Sequence, residues 1–357
     1  ASEPSFSGLP RFSYASAWYV PNAESDDKFL LTHTRYNNEQ RDLYTSTSVD
    51  ADQWMPRRSV AQIERGKYQT TWLKPDGKTL GTIFNVHPDG VDRSLDYRSD
   101  LYYMQTIDQA TTWRTVDDNL LIDNASAPGN PLTSRPQSAL VYASGPEERV
   151  YLKDVNYDAD GNPVIMFLTS PDHNPRELAD GEERLVKVAR WSGSTWDVST
   201  VTSVDHNYDH GSLYVETDHL GGEVLRIIAP FIDGPQQLGT GGEIGVWTSH
   251  DGGANWSLVD QLTTESEFNQ TYVRRPLDAD DDFYALWADG HAFEESTVSL
   301  YFSDRLGNVF RLPTQFDDGA EFAAPELVRA VPEPTGAAAL SAAAAAAAAL
   351  KRRSSNR

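Results

Sequence analysis

One octapeptide, Ser249-His250-Asp251-Gly252-Gly253-Ala254-Asn255-Trp256, restricts what this chain can fold into more than any other stretch. In the pattern Ser/Thr-x-Asp-x-Gly-x-x-Trp the Asp carboxylate can accept hydrogen bonds from its own loop backbone, the Gly permits a positive φ, and the Trp folds back beneath a hairpin. These jobs are structural, so the motif specifies architecture and not chemistry. Weaker echoes recur where a repeat would put them. Thr106 to Trp113 lacks the Gly, and Ser303 to Phe310 keeps Ser303, Gly307 and the aromatic residue but carries Arg305 in place of the Asp.

Self-similarity extends beyond the turn. About five units of roughly fifty residues follow one another, each readable as four short strands, which is the period of β-propeller blades. The units lie near 11–56, 66–116, 147–201, 210–263 and 270–313. In the third, Val150 to Asn156 and Val164 to Ser170 flank Asp158-Ala159-Asp160-Gly161-Asn162, which reads as a hairpin turn. A calcium loop of the helical type would need a closing Glu and helical flanks. A chain of 357 residues with 9 Trp, 16 Tyr and 13 Phe suits many short strands. The predicted architecture is therefore all-β: a propeller of four-stranded antiparallel blades over 11–313, preceded by a lead at 1–10 and followed by a linker at 314–331.

The net charge of −23 argues against nucleic acid, because no basic stripe exists to displace counterions from phosphates. An acidic surface also repels polyanionic sugars at long range, so an anionic substrate would need a local cluster of Arg. With no Cys, neither disulfides nor thiol chemistry is possible. No His-x-x-x-His or His/Asp spacing supports a zinc site, and no phosphate loop or dinucleotide fingerprint is present. No cofactor is expected.

Residues 332–357 differ in kind. After Val331-Pro332-Glu333-Pro334-Thr335-Gly336 comes an alanine-dominated helical run, Ala337 to Leu350, and then Lys351, Arg352, Arg353 and Arg357. An apolar run of about 14 residues is short of the roughly 20 that a stable span needs. The tail resembles the PEP-CTERM sorting signal of Gram-negative exporters, which implies recognition by export and sorting machinery and an extracellular or envelope-associated protein. No signal peptide precedes Ala1, so the chain is expected to be a processed or truncated form.

Chemistry must come from polar residues that the repeat does not demand. Asp205-His206-Asn207-Tyr208-Asp209-His210-Gly211 places two His and one Tyr in a loop ahead of a strand, and propeller loops converge on the central channel. His206 and Tyr208 are the candidate proton donor and acceptor, and which of His206 and His210 faces the channel stays open. Arg226, on the strand Val224 to Ala229, and Arg274-Arg275 form a basic group. Because adjacent strand residues point to opposite faces, only one of Arg274 and Arg275 is expected in the channel. His87, in the loop that leads on to Arg93 and Arg98, could line the same mouth, and His87 and Arg98 complete the candidate substrate-binding set.

With these residues in view, Phe12 to Pro313 resembles the bacterial neuraminidase repeat (Asp-box) propellers. The likeness is carried by Lys153-Asp154, His206-Asn207-Tyr208-Asp209, Gly241-Gly242-Glu243, Tyr272-Val273-Arg274-Arg275-Pro276 and Phe283 to Gly290. Related propellers include ulvan lyases, and the spacing of Tyr208 to Arg226 is similar to that of their Tyr and Arg. The resemblance implies a carbohydrate-active lyase of acidic polysaccharides, with Tyr208 or His206 moving the proton and Arg226 with one of Arg274 and Arg275 offsetting a carboxylate. A sialidase-like or rhamnosidase-like exo-hydrolase and a non-catalytic sugar-binding propeller are the alternatives. Members usually have about seven blades, so five units imply that N-terminal blades are absent.

Overall fold

A computed structural model describes residues 12–331 apart from 38–39, 91–95, 127–128, 175, 316–318 and 320–322. The lead at 1–10, Arg93 and the Ala-rich stretch at 332–357 expected to be a sorting signal lie outside the described residues.

Alternation along the strands dictates the architecture. In Pro163–Ser170 every residue is buried, yet neighbours serve different cores. Ile165 and Phe167 pack with Ile83, Tyr103 and Val155, whereas Met166 and Leu168 pack with Val186, Leu225 and Trp247. The same split separates Ile83 from Phe84, Tyr103 from Tyr102 and Ile227 from Ile228. Side chains that alternate between two apolar interfaces require a sheet sandwiched between two others. Repeated along the chain, that is a propeller.

Five antiparallel sheets result. The first holds β1 (Phe12–Tyr19), β2 (Phe29–Asn37), β3 (Gln40–Ser48) and β4 (Arg58–Ala61). The second holds β5 (Gln69–Leu73), β6 (Leu80–Val86), β7 (Ser99–Thr106), β8 (Thr112–Arg114) and β9 (Leu120–Asp123), with β10 (Leu140–Tyr142) added beside β7. The third holds β11 (Arg149–Tyr157), β12 (Pro163–Ser170), β13 (Arg184–Trp191) and β14 (Trp196–Val204). The fourth holds β15 (Ser212–Thr217), β16 (Glu223–Ile232), β17 (Glu243–Ser249) and β18 (Ser257–Gln261). The fifth holds β19 (Asn269–Arg274), β20 (Ala285–Gly290), β21 (Leu300–Ser303), β22 (Val309–Arg311) and β23 (Glu326–Arg329). The last strand pairs with β22 inside the stretch expected to be a linker.

The turns show how the repeat is built. Asp251 accepts from the Asn255 amide at 2.9 Å and from the Ser249 hydroxyl at 2.7 Å, while Trp256 donates its indole N–H to the Gly253 carbonyl at 3.0 Å. In the echo without Gly, Asp108 accepts from the Thr112 amide at 2.8 Å and from the Thr106 hydroxyl at 3.0 Å. There Gln109 and Ala110 are held at φ of 56° and 59°, so the carboxylate bonds impose a left-handed backbone on residues that disfavour it. In the last echo the carboxylate comes from Asp304, one residue earlier than the position of Arg305. Asp50 makes a fourth such turn between β3 and β4, a residue shorter than the pattern and therefore missed in the sequence.

Gly81 on β6 has no room for a side chain, since a Cβ there would collide with the phenol oxygens of the buried Tyr157 and Tyr103. Gly81→Ala is expected to lower the unfolding free energy by about 1–3 kcal/mol through overpacking, measured by urea denaturation. An unchanged midpoint would mean that the two rings move freely.

Candidate functional site

The first strand of each sheet faces the centre, and together β1, β5, β11, β15 and β19 border a cavity of about 480 Å³. Tyr14 and Trp18 come from β1, Trp72 from β5 with Tyr68 just ahead of it, and Tyr151, Lys153 and Asp154 from β11. The loop before β15 supplies Tyr208 and His210, the residue before β7 is Arg98, and the end of β19 brings Tyr272, Arg274 and Arg275.

Two β-bulges make this wall. Strand β11 shifts register between Leu152 and Asp154, and the consecutive residues Leu152, Lys153 and Asp154 all line the cavity. Strand β19 shifts between Thr271 and Arg274, with Tyr272 at φ 57°. An extra residue in one strand re-aims the side chains that follow it. This corrects the expectation from alternation: Arg274 and Arg275 both line the cavity. Arg275 also stands just past the strand end, where its amide donates to the Ser212 hydroxyl at 2.9 Å.

Arg98 organises the centre. Its Nη2 donates to the Tyr208 phenol oxygen at 2.6 Å, and its guanidinium lies 4.7, 4.3 and 5.3 Å from the ring centroids of Tyr68, Tyr151 and Tyr208. A planar cation suits such a cage because it stacks and donates at once. Burial would raise the Tyr68 phenol, but the Arg98 and Arg41 guanidiniums outweigh it and hold it below its ordinary value. Lys153 is buried and donates to the Asn207 carbonyl at 2.7 Å. Burial pushes its amine down, against the opposing pull of the Asp209 carboxylate. Asp154 is pushed up by burial despite Arg275, and accepts from the Leu213 amide at 2.8 Å. His210 stacks on Tyr272 with centroids 5.2 Å apart, and burial, with Lys153 and Arg274 nearby, keeps it neutral by lowering its pKa far below the usual value.

Three candidates lie elsewhere. His206 is buried behind the cavity wall, its Nδ1 accepting the Tyr208 amide at 3.1 Å, so it shapes the loop and His210 takes the place in the cavity. His87 is buried under Tyr68, with ring centroids 4.8 Å apart and its amide bonded to the Gly66 carbonyl. Arg226 sits on the second strand of its sheet, where its Nε donates to Glu216 at 2.9 Å. Sequence reasoning passed over Lys153, Asp154, Tyr68 and Tyr151 as site residues. The signal that could have found them is their place on a unit's first strand or, for Tyr68, just ahead of it.

His206 makes a measurable contribution of its own. Burial first, then the Lys153 and Arg184 charges, lower its pKa from 6.5 to about 4. The unfolded chain therefore binds the proton more readily, and the stability owed to neutral His206 is full above about 6.5 and lost as pH falls towards 4. His206→Asn keeps an acceptor for the Tyr208 amide without the titration. The stability difference between the wild type and this variant is expected to shift by about 3 kcal/mol in favour of the variant on going from neutral pH to pH 4. A difference that stays constant across that range in urea titrations would contradict this.

No protein-family model matches the chain, and no curated protein matches it. Solved structures do. A polysaccharide lyase PL25 ulvan lyase bound to -[GlcA(1-4)Rha3S]- superposes with a TM-score of 0.63 at 18% identity, covering 82% of this chain and 64% of that one. The fold is that of the ulvan-lyase-type propellers. A second PL25 ulvan lyase structure gives 0.62, also at 18% identity and over the same shares of each chain. The polysaccharide lyase Uly1 gives 0.53 at 13% identity, covering 82% of this chain and 58% of that one. The chain thus spans 64% of the length of the PL25 ulvan lyase, and the likeness is one of fold.

Proposed function

We propose that this chain is an exported carbohydrate-active protein that cleaves an acidic, uronate-containing polysaccharide by β-elimination. The observation that carries the reading is the charge of the cleft. Three guanidiniums, of Arg98, Arg274 and Arg275, and the Lys153 amine face a single carboxylate, Asp154, among the described residues that line the cleft, in a chain of net charge −23. Enclosing that much positive charge among aromatic walls is costly unless an anion joins it. Arg275 adds to the argument. Its Nε and Nη2 are buried without a hydrogen-bond partner among the described residues, and Asp154 stands 3.7 Å away. A uronate carboxylate would supply the missing acceptors.

Elimination needs a cation at the carboxylate, a base at C5 and an acid at the leaving oxygen. Arg274 and Arg275 hold the carboxylate and spread the charge that develops when the C5 proton departs. Neutral His210 accepts that proton, the C5–H electrons form the C4–C5 double bond, the C4–O bond breaks, and the Tyr208 phenol protonates the departing oxygen. Arg98, already donating to the Tyr208 oxygen, meets the charge left there. Hydrolysis by paired carboxylates has less support, because Asp154 has no acidic companion among the described residues that line the cleft. Export rests on the sorting tail alone.

The test is to incubate the protein with uronate polysaccharides and follow the ultraviolet absorbance of the unsaturated uronate together with new reducing ends. Both rising together is the expected result. Reducing ends without the chromophore would replace elimination by hydrolysis, and calorimetric binding with neither would leave a sugar-binding propeller.

A further inference from the structure

Tyr272 occupies a conformation that side chains with a Cβ seldom adopt. Its φ is 57°, inside the bulge of β19, and it is 47% exposed. Burial of the ring therefore does little to explain why a tyrosine, and not a glycine, stands at a left-handed position. Its surroundings give a reason. The ring lies nearly parallel to His210, 13° between planes, and the Arg274 guanidinium is 5.5 Å from its centroid. The next residue, Val273, donates its amide to the His210 carbonyl at 3.1 Å, and its own carbonyl accepts from the Ser212 hydroxyl at 3.1 Å. The bulge is thus stapled to the loop that carries His210 and Tyr208.

We propose that Tyr272 is a positioning residue of the cleft: its bulged backbone aims Arg274 and Arg275 together into the cavity, and its ring holds His210 in place. The effect on turnover rests on the elimination reading, and the placement of His210 does not. The groups facing His210 are Lys153 from β11, Arg98 ahead of β7, Arg274 from β19 and His206 from its own loop. All of them disfavour a second positive charge. Removing the ring would admit water to the imidazole and ease its protonation.

Tyr272→Gly and Tyr272→Phe separate the two roles. Glycine adopts the left-handed backbone without strain, so the bulge and the backbone course that leads to both Arg residues persist while the ring, with its contacts to His210 and Arg274, is lost. The expected result for Tyr272→Gly is an unfolding midpoint equal to or above that of the wild type and little change in KM. Its kcat should fall about tenfold or more, and the His210 titration, followed by proton NMR without substrate, should move upwards. Tyr272→Phe should match the wild type in every measure. A His210 titration that does not move in Tyr272→Gly, or equal losses in Tyr272→Gly and Tyr272→Phe, would overturn the proposal. If the titration moves but the wild type cleaves no uronate polymer, the elimination reading falls and the positioning stands. If the wild type eliminates and the titration holds still, only the positioning falls.

Discussion

Tyr208→Phe is expected to reduce kcat on a uronate polymer by about 10²–10⁴-fold, the usual contribution of a well-placed general acid, with KM little changed. The phenol oxygen is the atom at stake. It receives Arg98 at 2.6 Å, and the ring packs edge-on against Tyr151 with centroids 5.6 Å apart, so phenylalanine keeps the packing and loses the hydroxyl, both the proton it would give and the oxygen that accepts from Arg98. The amide of residue 208 would still donate to His206, which preserves the loop. A loss confined to kcat identifies an interaction made in the transition state. A variant with wild-type kcat would remove Tyr208 from the mechanism and leave His210 and Lys153 as the groups able to move the proton.

The second large effect is expected at Arg98. Arg98→Lys retains a charge but replaces a planar fork, enclosed by three tyrosine rings, with a point charge on a flexible stem. The donor to the Tyr208 oxygen would be lost or misplaced just where charge develops, and removal of one such donor typically costs about 10²–10³-fold in kcat. Stopped assays of kcat and KM, with a denaturation curve as control, decide it. A drop in stability that accounts for the lost activity would assign Arg98 to the cage and not to the chemistry. The buried guanidinium already has a packing role, its Nε lying without a partner among the described residues, so the denaturation control is essential.

How far each feature could be read in advance follows from how local its cause is. The propeller was legible because its determinants repeat within a few residues of one another. The third unit shows itself as two strand-like runs, Val150 to Asn156 and Val164 to Ser170, on either side of the turn at Asp158 to Asn162. The Asp251 turn closes on bonds to Ser249 and Asn255. Even the imperfect turns at Asp108 and Asp304 reach the same geometry, because a carboxylate that caps its own loop tolerates changes around it. Where the pattern was a residue short, at Asp50, the same chemistry went unread.

The site was legible only in part. The stretch 205–211 was singled out because two His and a Tyr crowd one loop, but a loop has no period, and nothing in it says that His206 turns inward to accept the Tyr208 amide while His210 turns to the cavity. Arg226 shares a residue type and a plausible spacing with a channel cation, yet it lies on the second strand, beside Glu216. The pair Arg274 and Arg275 escapes the alternation rule because the strand, already bulged between Thr271 and Arg274, ends at Arg274, and Arg275 beyond it is held by its amide bond to Ser212.

The sequence by itself determined the all-β architecture and the number of sheets among the described residues, since these follow from a repeat of about fifty residues and from turns that satisfy their own backbone. Only the tertiary structure decided the cleft. Its wall is assembled from five first strands between Tyr14 and Arg275, and residues so far apart in the chain meet through packing that no local pattern encodes. In β11 and β19 the side chains are aimed by bulges that suspend the alternation of a regular strand.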